Sequence, residues 1–140
     1  PCWLIWYKIS DGQRLSFADA ELAWTDFTSP IRLYHHRWGG LLKQGCHKEE
    51  GKVRTHPTQK PVGLMADILN DYSEKGNLIV DFYLGSGSIL IAAEKTGRVC
   101  YGIEIDPSYV DGIISRICKY MNTYDIRKNG ENIIWIPQQQ

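Results

Sequence analysis

The sequence predicts an α/β domain built on a parallel sheet that is covered by helices. Three observations indicate this class: a short apolar run at residues 78–80, a second run at residues 99–105, and helical periodicity before, between and after them. Strands that alternate with helices pair in parallel. Because the crossover between parallel strands is right-handed, the turn after the first strand and the end of the second strand are expected at the same, carboxyl edge of the sheet.

The helices of this region have recognisable limits. Helical spacing of apolar residues covers residues 62–72, 89–95 and 109–118. Gly76 suits the position just after the last turn of the first helix. Asp106 precedes a proline and is expected to cap the third helix.

The rest of the chain has weaker patterns. Residues 3–9 and 20–25 are apolar and aromatic and predict two strands, and residues 132–136 predict a last short one. Residues 32–60 show no regular spacing of apolar residues, and they contain seven Lys and Arg but only two acidic residues. This basic segment is expected to be an irregular loop, and a compact domain rarely keeps so long a loop without a use.

Composition bounds the class of protein. At 140 residues the chain has the size of one domain, and its 16 basic and 16 acidic side chains argue neither for nor against a polyanionic partner. The four cysteines form no C-x-x-C pair, so no disulfide framework or zinc site is expected, and free thiols fit a reducing cytosol. No apolar run approaches the roughly 20 residues that span a bilayer. The chain opens within a strand pattern and without Met, so we expect it to be part of a longer protein.

A turn with two glycines, Gly85 and Gly87, follows the first strand of the sheet. Such a turn lets a ligand approach the backbone amides. A dinucleotide fingerprint would have a third glycine at position 90, where this chain has Leu90. Asp81, at the strand end just before the turn, would oppose a pyrophosphate but suits a cationic ligand without phosphate. The alternative is that Asp81 only caps the turn.

Two further groups are candidates for ligand binding. Glu104 lies at the tip of the second strand, where an acid can accept the hydroxyls of a ribose, and it is expected to share a strand face with Asp106. The alternative is a solvated strand end. The turn His56-Pro57-Thr58-Gln59-Lys60-Pro61 forms a rigid approach to the first helix, and it can also be no more than the start of that helix.

Together these motifs resemble those of the amino-methyltransferase family of DNA-modifying enzymes, in the permuted order in which the cofactor motif follows the target-recognition region. The family's T-Q-K-P turn matches residues 58–61, its D-P-F-x-G-S-G-T loop matches residues 81–88, and its G-I-E-I-D-P strand end matches residues 102–107. The loop departs at Phe82 for Pro, Tyr83 for Phe and Ser88 for Thr, of which Ser88 keeps the hydroxyl. The similarity spans nearly the whole chain up to Tyr120.

This resemblance implies an incomplete Rossmann-like S-adenosylmethionine-dependent methyltransferase fold, with residues 1–140 forming the C-terminal part of one domain. Residues 1–31 would be strands that follow the catalytic motif, residues 32–55 the target-recognition segment, and residues 56–140 the cofactor-binding half. The implied reaction is transfer of a methyl group to an exocyclic amino group of adenine or cytosine in DNA. The residues expected to bind S-adenosylmethionine are His56, Thr58, Gln59, Lys60, Asp81, Tyr83, Gly85, Ser86, Gly87, Ser88 and Glu104.

The family's catalytic motif, D/N/S-P-P-Y/F/W, does not occur, because the sequence has no Pro-Pro pair. In the permuted order it would lie before Pro1, together with the strand that neighbours the strand of residues 78–82. We therefore assign no catalytic residue and no metal ligand, and expect the isolated chain to be inactive and to form a homodimer through an unpaired sheet edge. The residues expected to contact DNA are Arg32, Arg37, Lys43, Lys48 and Arg54.

Two other interpretations of the sequence remain. The chain can be a non-catalytic remnant of such an enzyme that binds DNA or another partner. A nicotinamide dehydrogenase is the third interpretation, and Leu90 and Asp81 count against it. The resemblance further implies a bacterial or phage-like cytoplasmic protein, with a restriction-modification role and no membrane association.

Overall fold

The computed structural model describes residues 1–9, 18–39, 42–43 and 56–137. Contacts divide the chain into two units, Pro1–Gly45 and Cys46–Gln140, and each is described by itself. The boundary lies within the segment that the sequence assigns to target recognition. Among the described residues, no helix has the length and apolar character needed to cross a membrane.

The first unit is a small β structure. Strand β1 (Cys2–Tyr7) pairs antiparallel with β2 (Ala20–Thr25) and parallel with β3 (Arg32–His35), and a separate ladder joins β4 (Trp38–Gly39) to β5 (Leu42–Lys43). The two predicted strands are thus confirmed, although β1 ends two residues early. The prediction of an irregular loop from residue 32 is wrong for these short strands. β3 forms because β1 supplies the hydrogen-bond partners that its four residues cannot supply locally.

The second unit contains the predicted helix–strand alternation. Helix α1 (Val62–Tyr72) precedes β6 (Leu78–Asp81), which leads through the glycine turn to α2 (Ser88–Thr96). Strand β7 (Val99–Gly102) follows and pairs in parallel with β6, with Asp81 opposite Gly102. Its continuation is α3 (Pro107–Met121) and a hairpin of β8 (Asp125–Lys128) and β9 (Glu131–Ile134). The parallel pairing and the order of the elements confirm the α/β prediction.

The core of this unit lies between helices and strands. α1 and α2 pack together, and Ile79 of β6 and Cys100 of β7 contact the cluster that they form. The alternate side chains of the two strands point to the opposite face, where Leu78 and Val80 remain 54% and 50% exposed. The buried residues of the cluster are Val62, Ala66, Leu69, Ile91, Ala92 and Ala93.

The ends of two elements differ from prediction. α1 is capped by Ser73, whose hydroxyl donates to the Leu69 carbonyl at 2.6 Å, so Gly76 belongs to the turn before β6 and not to the helix end. The ladder between β6 and β7 ends at the pair Asp81–Gly102, and no described strand pairs with residues 104–106. Glu104 and Asp106 therefore do not share a strand face.

One helix cap and one hairpin turn agree closely with local sequence signals. Asp106 accepts a hydrogen bond from the Ser108 amide at 2.8 Å, so its predicted role as N-cap of α3 is confirmed. The hairpin of β8 and β9 turns at Asn129 and Gly130, which both have positive φ. An Asn-Gly pair is the strongest short-range hairpin signal, and it marks β8, a strand that the apolar pattern did not predict.

Candidate functional site

An open cleft of about 820 Å³ lies at the carboxyl ends of β6 and β7. Three segments form its walls: the turn before α1, the loop between β6 and α2, and the residues that follow β7. Parallel α/β sheets bind ligands at this edge because the loops there leave a crevice and helix N-termini point into it. The residues that line the cleft are His56, Thr58, Lys60, Met65, Asp81, Phe82, Tyr83, Leu84, Gly85, Ser86, Ser88, Ile89, Ile103, Glu104 and Ile105.

The glycine loop (residues 82–87) is held in shape by a hydrogen bond within its own backbone and by a bond to the side chain of Asp81. The Asp81 carboxylate accepts a hydrogen bond from the Tyr83 amide at 2.8 Å, and the Gly87 amide donates to the Leu84 carbonyl at 2.8 Å. Gly85 and Gly87 have φ of 53° and 71°, a region that glycine adopts without a Cβ clash. One oxygen of Asp81 thus caps the loop, and the residue also lines the cleft.

Glu104 joins the loop to the segment that follows β7. Its Oε2 accepts from the Gly85 amide at 2.7 Å, and its Oε1 accepts from the Asp106 amide at 3.0 Å. These donors, the Asp106 amide first, lower the pKa of the Glu104 carboxyl from its ordinary value, and the residue is ionised at neutral pH. Each carboxylate oxygen can accept a second hydrogen bond, so Glu104 keeps acceptor capacity for a ligand.

The TQKP turn (residues 58–61) forms the opposite wall together with His56. The His56 Nδ1 accepts from the Thr58 amide at 3.2 Å, and its ring packs against Tyr109 of α3 with centroids 4.4 Å apart. A Cβ placed on Gly85 would lie 3.6 Å from the His56 ring, so the ring lies directly over the glycine loop. The Lys60 carbonyl accepts from the Ser88 hydroxyl at 2.7 Å and ties the turn to the start of α2.

Nine of the eleven residues that the sequence assigns to cofactor binding line this cleft. The other two lie behind the walls. Gln59 is buried, and Gly87 precedes α2 at a point where a Cβ would lie 2.9 Å from Ile113. The sequence motifs did not predict the apolar lining of the cleft, which consists of Met65, Phe82, Leu84, Ile89, Ile103 and Ile105.

The rim of the cleft is both apolar and exposed. Tyr83 and Ile105 are 89% and 94% exposed, the highest values among the large apolar side chains that the structure describes. Large exposed apolar groups around a concave site are typical of a ligand-binding or interaction surface. The cleft thus combines two carboxylates with apolar surface.

The residues predicted to contact DNA are only partly described. Arg32 lies in β3 and is exposed, and Arg37 is half-buried between β3 and β4. Lys43 ends β5. Lys48 and Arg54 lie outside the described residues.

A parallel strand pair with a glycine turn at its carboxyl edge and an acid after the next strand defines the Rossmann-like class of nucleotide-cofactor domains. Within this class the chain belongs to the DNA methylase family, whose model matches residues 27–116. The match includes the TQKP turn, the glycine loop and the segment after β7. The family resemblance inferred from the motifs is therefore confirmed.

Curated relatives are similar over about half of the chain. The Type II methyltransferase M2.DpnII of Streptococcus pneumoniae is 36% identical over 73 residues, which cover 52% of this chain and 26% of that protein. The Type II methyltransferase M.ScaI of Streptomyces caespitosus is 32% identical over 76 residues, which cover 54% and 25%. The matched region thus spans about a quarter of the length of these relatives.

Solved structures share the fold. The M1.HpyAVI–SAM complex superposes with a TM-score of 0.58 at 22% identity and covers 82% of this chain, which spans 60% of that one. The putative DNA modification methylase TTHA0409 of Thermus thermophilus, complexed with S-adenosyl-L-methionine, gives a TM-score of 0.52 at 20% identity, with coverage of 84% and 52%. These similarities confirm the predicted Rossmann-like methyltransferase fold.

Proposed function

We propose that this chain supplies the cofactor-binding and DNA-recognition parts of an S-adenosylmethionine-dependent DNA methyltransferase that acts on an exocyclic amino group of adenine or cytosine. The observation that carries the proposal is the cleft, since it gathers nine residues that the family motifs nominate independently of the structure. The relatives are bacterial, and we expect a cytoplasmic protein of a bacterium or phage.

The groups in the cleft fit this cofactor. S-adenosylmethionine carries an ammonium, a sulfonium and a ribose but no phosphate, and the two carboxylates of Asp81 and Glu104 suit positive charge and hydroxyl donors. Asp81 would lie near the methionine ammonium, and Glu104 would accept from the ribose. Gly85 and Gly87 let the ligand approach the backbone. The bound cofactor would supply the methyl group, while the chain would hold it in a fixed orientation.

The first prediction concerns the ribose. The isolated chain is expected to bind S-adenosylmethionine weakly and NAD no better. Glu104→Ala should weaken cofactor binding by about 1–3 kcal/mol, the scale for hydrogen bonds to a charged group. Isothermal titration calorimetry measures both ligands, and a clear preference for NAD would contradict the proposed function.

A cofactor analogue separates two causes of this loss, because Glu104 also holds the Gly85 amide. The 2′,3′-dideoxy analogue of S-adenosylmethionine should bind the natural chain more weakly than the cofactor does. The Glu104→Ala chain should not distinguish the two ligands. If it still does, the ribose binds elsewhere. Glu94→Ala on the exposed side of α2 is the matched control and should change neither affinity.

The second prediction concerns DNA. Any binding of nonspecific DNA is expected to depend on the basic segment and to weaken steeply with salt, because each phosphate contact contributes a log–log slope of about −0.9. Replacing Arg37 and Lys43 by Gln should reduce both affinity and slope in fluorescence anisotropy titrations. Lys119→Gln, at the end of α3 and remote in sequence from that segment, is the control for loss of one positive charge outside it. If the affinity for DNA does not change with salt, or is unchanged in the double variant, the basic segment is not the DNA-binding site.

A further inference from the structure

Arg116 of α3 is a buried arginine whose guanidinium reaches the base of the cleft. Its side chain is 8% exposed, and its Nη1 donates to the Ser86 carbonyl at 2.9 Å and to the Ser88 hydroxyl at 3.0 Å. Thirty residues separate Arg116 from Ser86 in sequence, and only the packing of α3 brings them together. Burying a guanidinium costs free energy unless it is hydrogen-bonded, so loss of these two contacts would destabilise the packed position of Arg116.

The hydroxyl of Ser88 is the centre of this network. It donates to the Lys60 carbonyl at 2.7 Å, and it accepts from Arg116. The Ser86 hydroxyl lies 3.2 Å away. A serine hydroxyl has one proton to donate and two acceptor positions. Since Ser88 already donates its proton to Lys60, the Ser86 hydroxyl must be the donor to Ser88. All three positions of Ser88 are then occupied by protein groups.

The network therefore connects three segments that meet at the cleft. Lys60 belongs to the TQKP turn, Ser86 to the glycine loop and Arg116 to the helix behind both. The Ser88 hydroxyl thus bonds directly to the TQKP turn on one side and to Arg116, which holds the glycine loop, on the other. A side chain with all its hydrogen-bonding positions used inside the protein is a tie between walls and not a free ligand for a cofactor.

We propose that Arg116 is a positioning residue that acts through Ser88 to hold the glycine loop against the TQKP turn, and thereby sets the width of the cofactor cleft. This inference rests on the proposed function for its ligand. Arg116 itself touches no cofactor in this proposal. Its effect on affinity is indirect, through the loop amides and the Lys60 carbonyl.

The test is a double-mutant cycle on S-adenosylmethionine affinity. Arg116→Met and Ser88→Ala should each weaken binding about tenfold, the scale of losing one charge-assisted hydrogen bond. The double variant should lose no more than the stronger single variant, because both changes break the same tie. Multiplicative losses, or an unchanged affinity in Arg116→Met, would overturn the proposal.

Conservative variants distinguish positioning from general stability. The bonds of Arg116 to Ser86 and Ser88 start from a single nitrogen, so Arg116→Lys should recover most of the affinity that Arg116→Met loses. Ser88→Thr keeps the hydroxyl and should recover most of the affinity that Ser88→Ala loses. Failure of both rescues would overturn the tie. Ser88→Ala removes few atoms and keeps the network testable if Arg116→Met does not fold.

A ligand-free measurement separates this inference from the proposed function. The Gly87 amide, bonded to the Leu84 carbonyl, should exchange its hydrogen about tenfold faster in Ser88→Ala and Arg116→Met than in the natural chain. If the natural chain binds no S-adenosylmethionine, the proposed function fails, and faster exchange still supports the tie. Unchanged exchange at Gly87 in both variants would overturn the tie whatever the ligand.

Discussion

Replacing Gly102 by alanine is expected to lower the affinity for S-adenosylmethionine by about 10–100-fold. Gly102 is the last residue of β7, and a Cβ there would overlap the Leu84 side chain, lying 2.6 Å from its Cδ1. Leu84 cannot simply move away with its backbone, because its amide donates to the Ile103 carbonyl at 3.1 Å. Overpacking of this kind costs about 1–3 kcal/mol, which we expect to be expressed as a displaced glycine loop.

The measurement is calorimetric titration together with thermal unfolding of the free chain. Gly112→Ala is the matched control, since Gly112 lies in α3 and, apart from its chain neighbours and its own helix backbone, no described atom lies within 4 Å of an added Cβ. That change should leave affinity unaltered and raise stability slightly, because glycine is a poor helix former. The double variant Gly102→Ala, Leu84→Ala removes the side chain that the new Cβ would overlap. It should recover part of the S-adenosylmethionine affinity that Gly102→Ala loses. Full affinity in Gly102→Ala would show that Leu84 does not shape the cleft.

The backbone of the second unit was largely predictable because its signals are local. Helical spacing of apolar residues and the Asp106 cap predicted the helices correctly. The errors fall where a tertiary partner decides. β3 exists because β1 is beside it, and β7 stops at Gly102, where its ladder with β6 ends. Gly76 has the positive φ that a helix-ending glycine needs, but Ser73 ends the helix first.

The residues of the candidate site likewise fall into a group that the sequence predicted and a group that depends on tertiary packing. Its charged and glycine residues lie in three short motifs, so the sequence nominated them directly. Its supports were not nominated, because a buried arginine on a helix has no distinctive spacing. Arg116 is linked to Ser86 and Ser88 only by the way α3 packs. Gly102 belongs to a motif that the sequence identifies. The need for glycine at this position comes from the Leu84 side chain packed against it, which only the structure shows.

The isolated chain is expected to give no methyl transfer, even though its cleft holds the cofactor-side residues. The sequence has no Pro-Pro pair and hence no copy of the family's catalytic motif, which flips the target base and binds its amino group. Methyl transfer is fast only when donor and acceptor are held in line, and a chain without the acceptor site cannot align the acceptor amino group with the methyl group. The assay is transfer of labelled methyl groups to DNA of mixed sequence, and counts at background are the expected result. Measurable turnover would mean that other residues of this chain bind the acceptor base.

The same chain is expected to self-associate. Within the part of the chain that the structure describes, β6 pairs with β7 alone, so its other edge presents free amides and carbonyls beside an apolar face. Such an edge is a template for a strand of another molecule. Multi-angle light scattering should therefore show a dimer or a larger species.

A charge on this face tests whether β6 is the contact. Val80→Lys should shift the chain towards monomer, because a second strand would have to bury the ammonium. Lys75→Gln, in the turn before β6, changes a charge nearby without altering the face and should leave the association as it is. A natural chain that is monomeric would contradict the predicted self-association, and a dimer that Val80→Lys does not weaken would place the contact elsewhere than on β6.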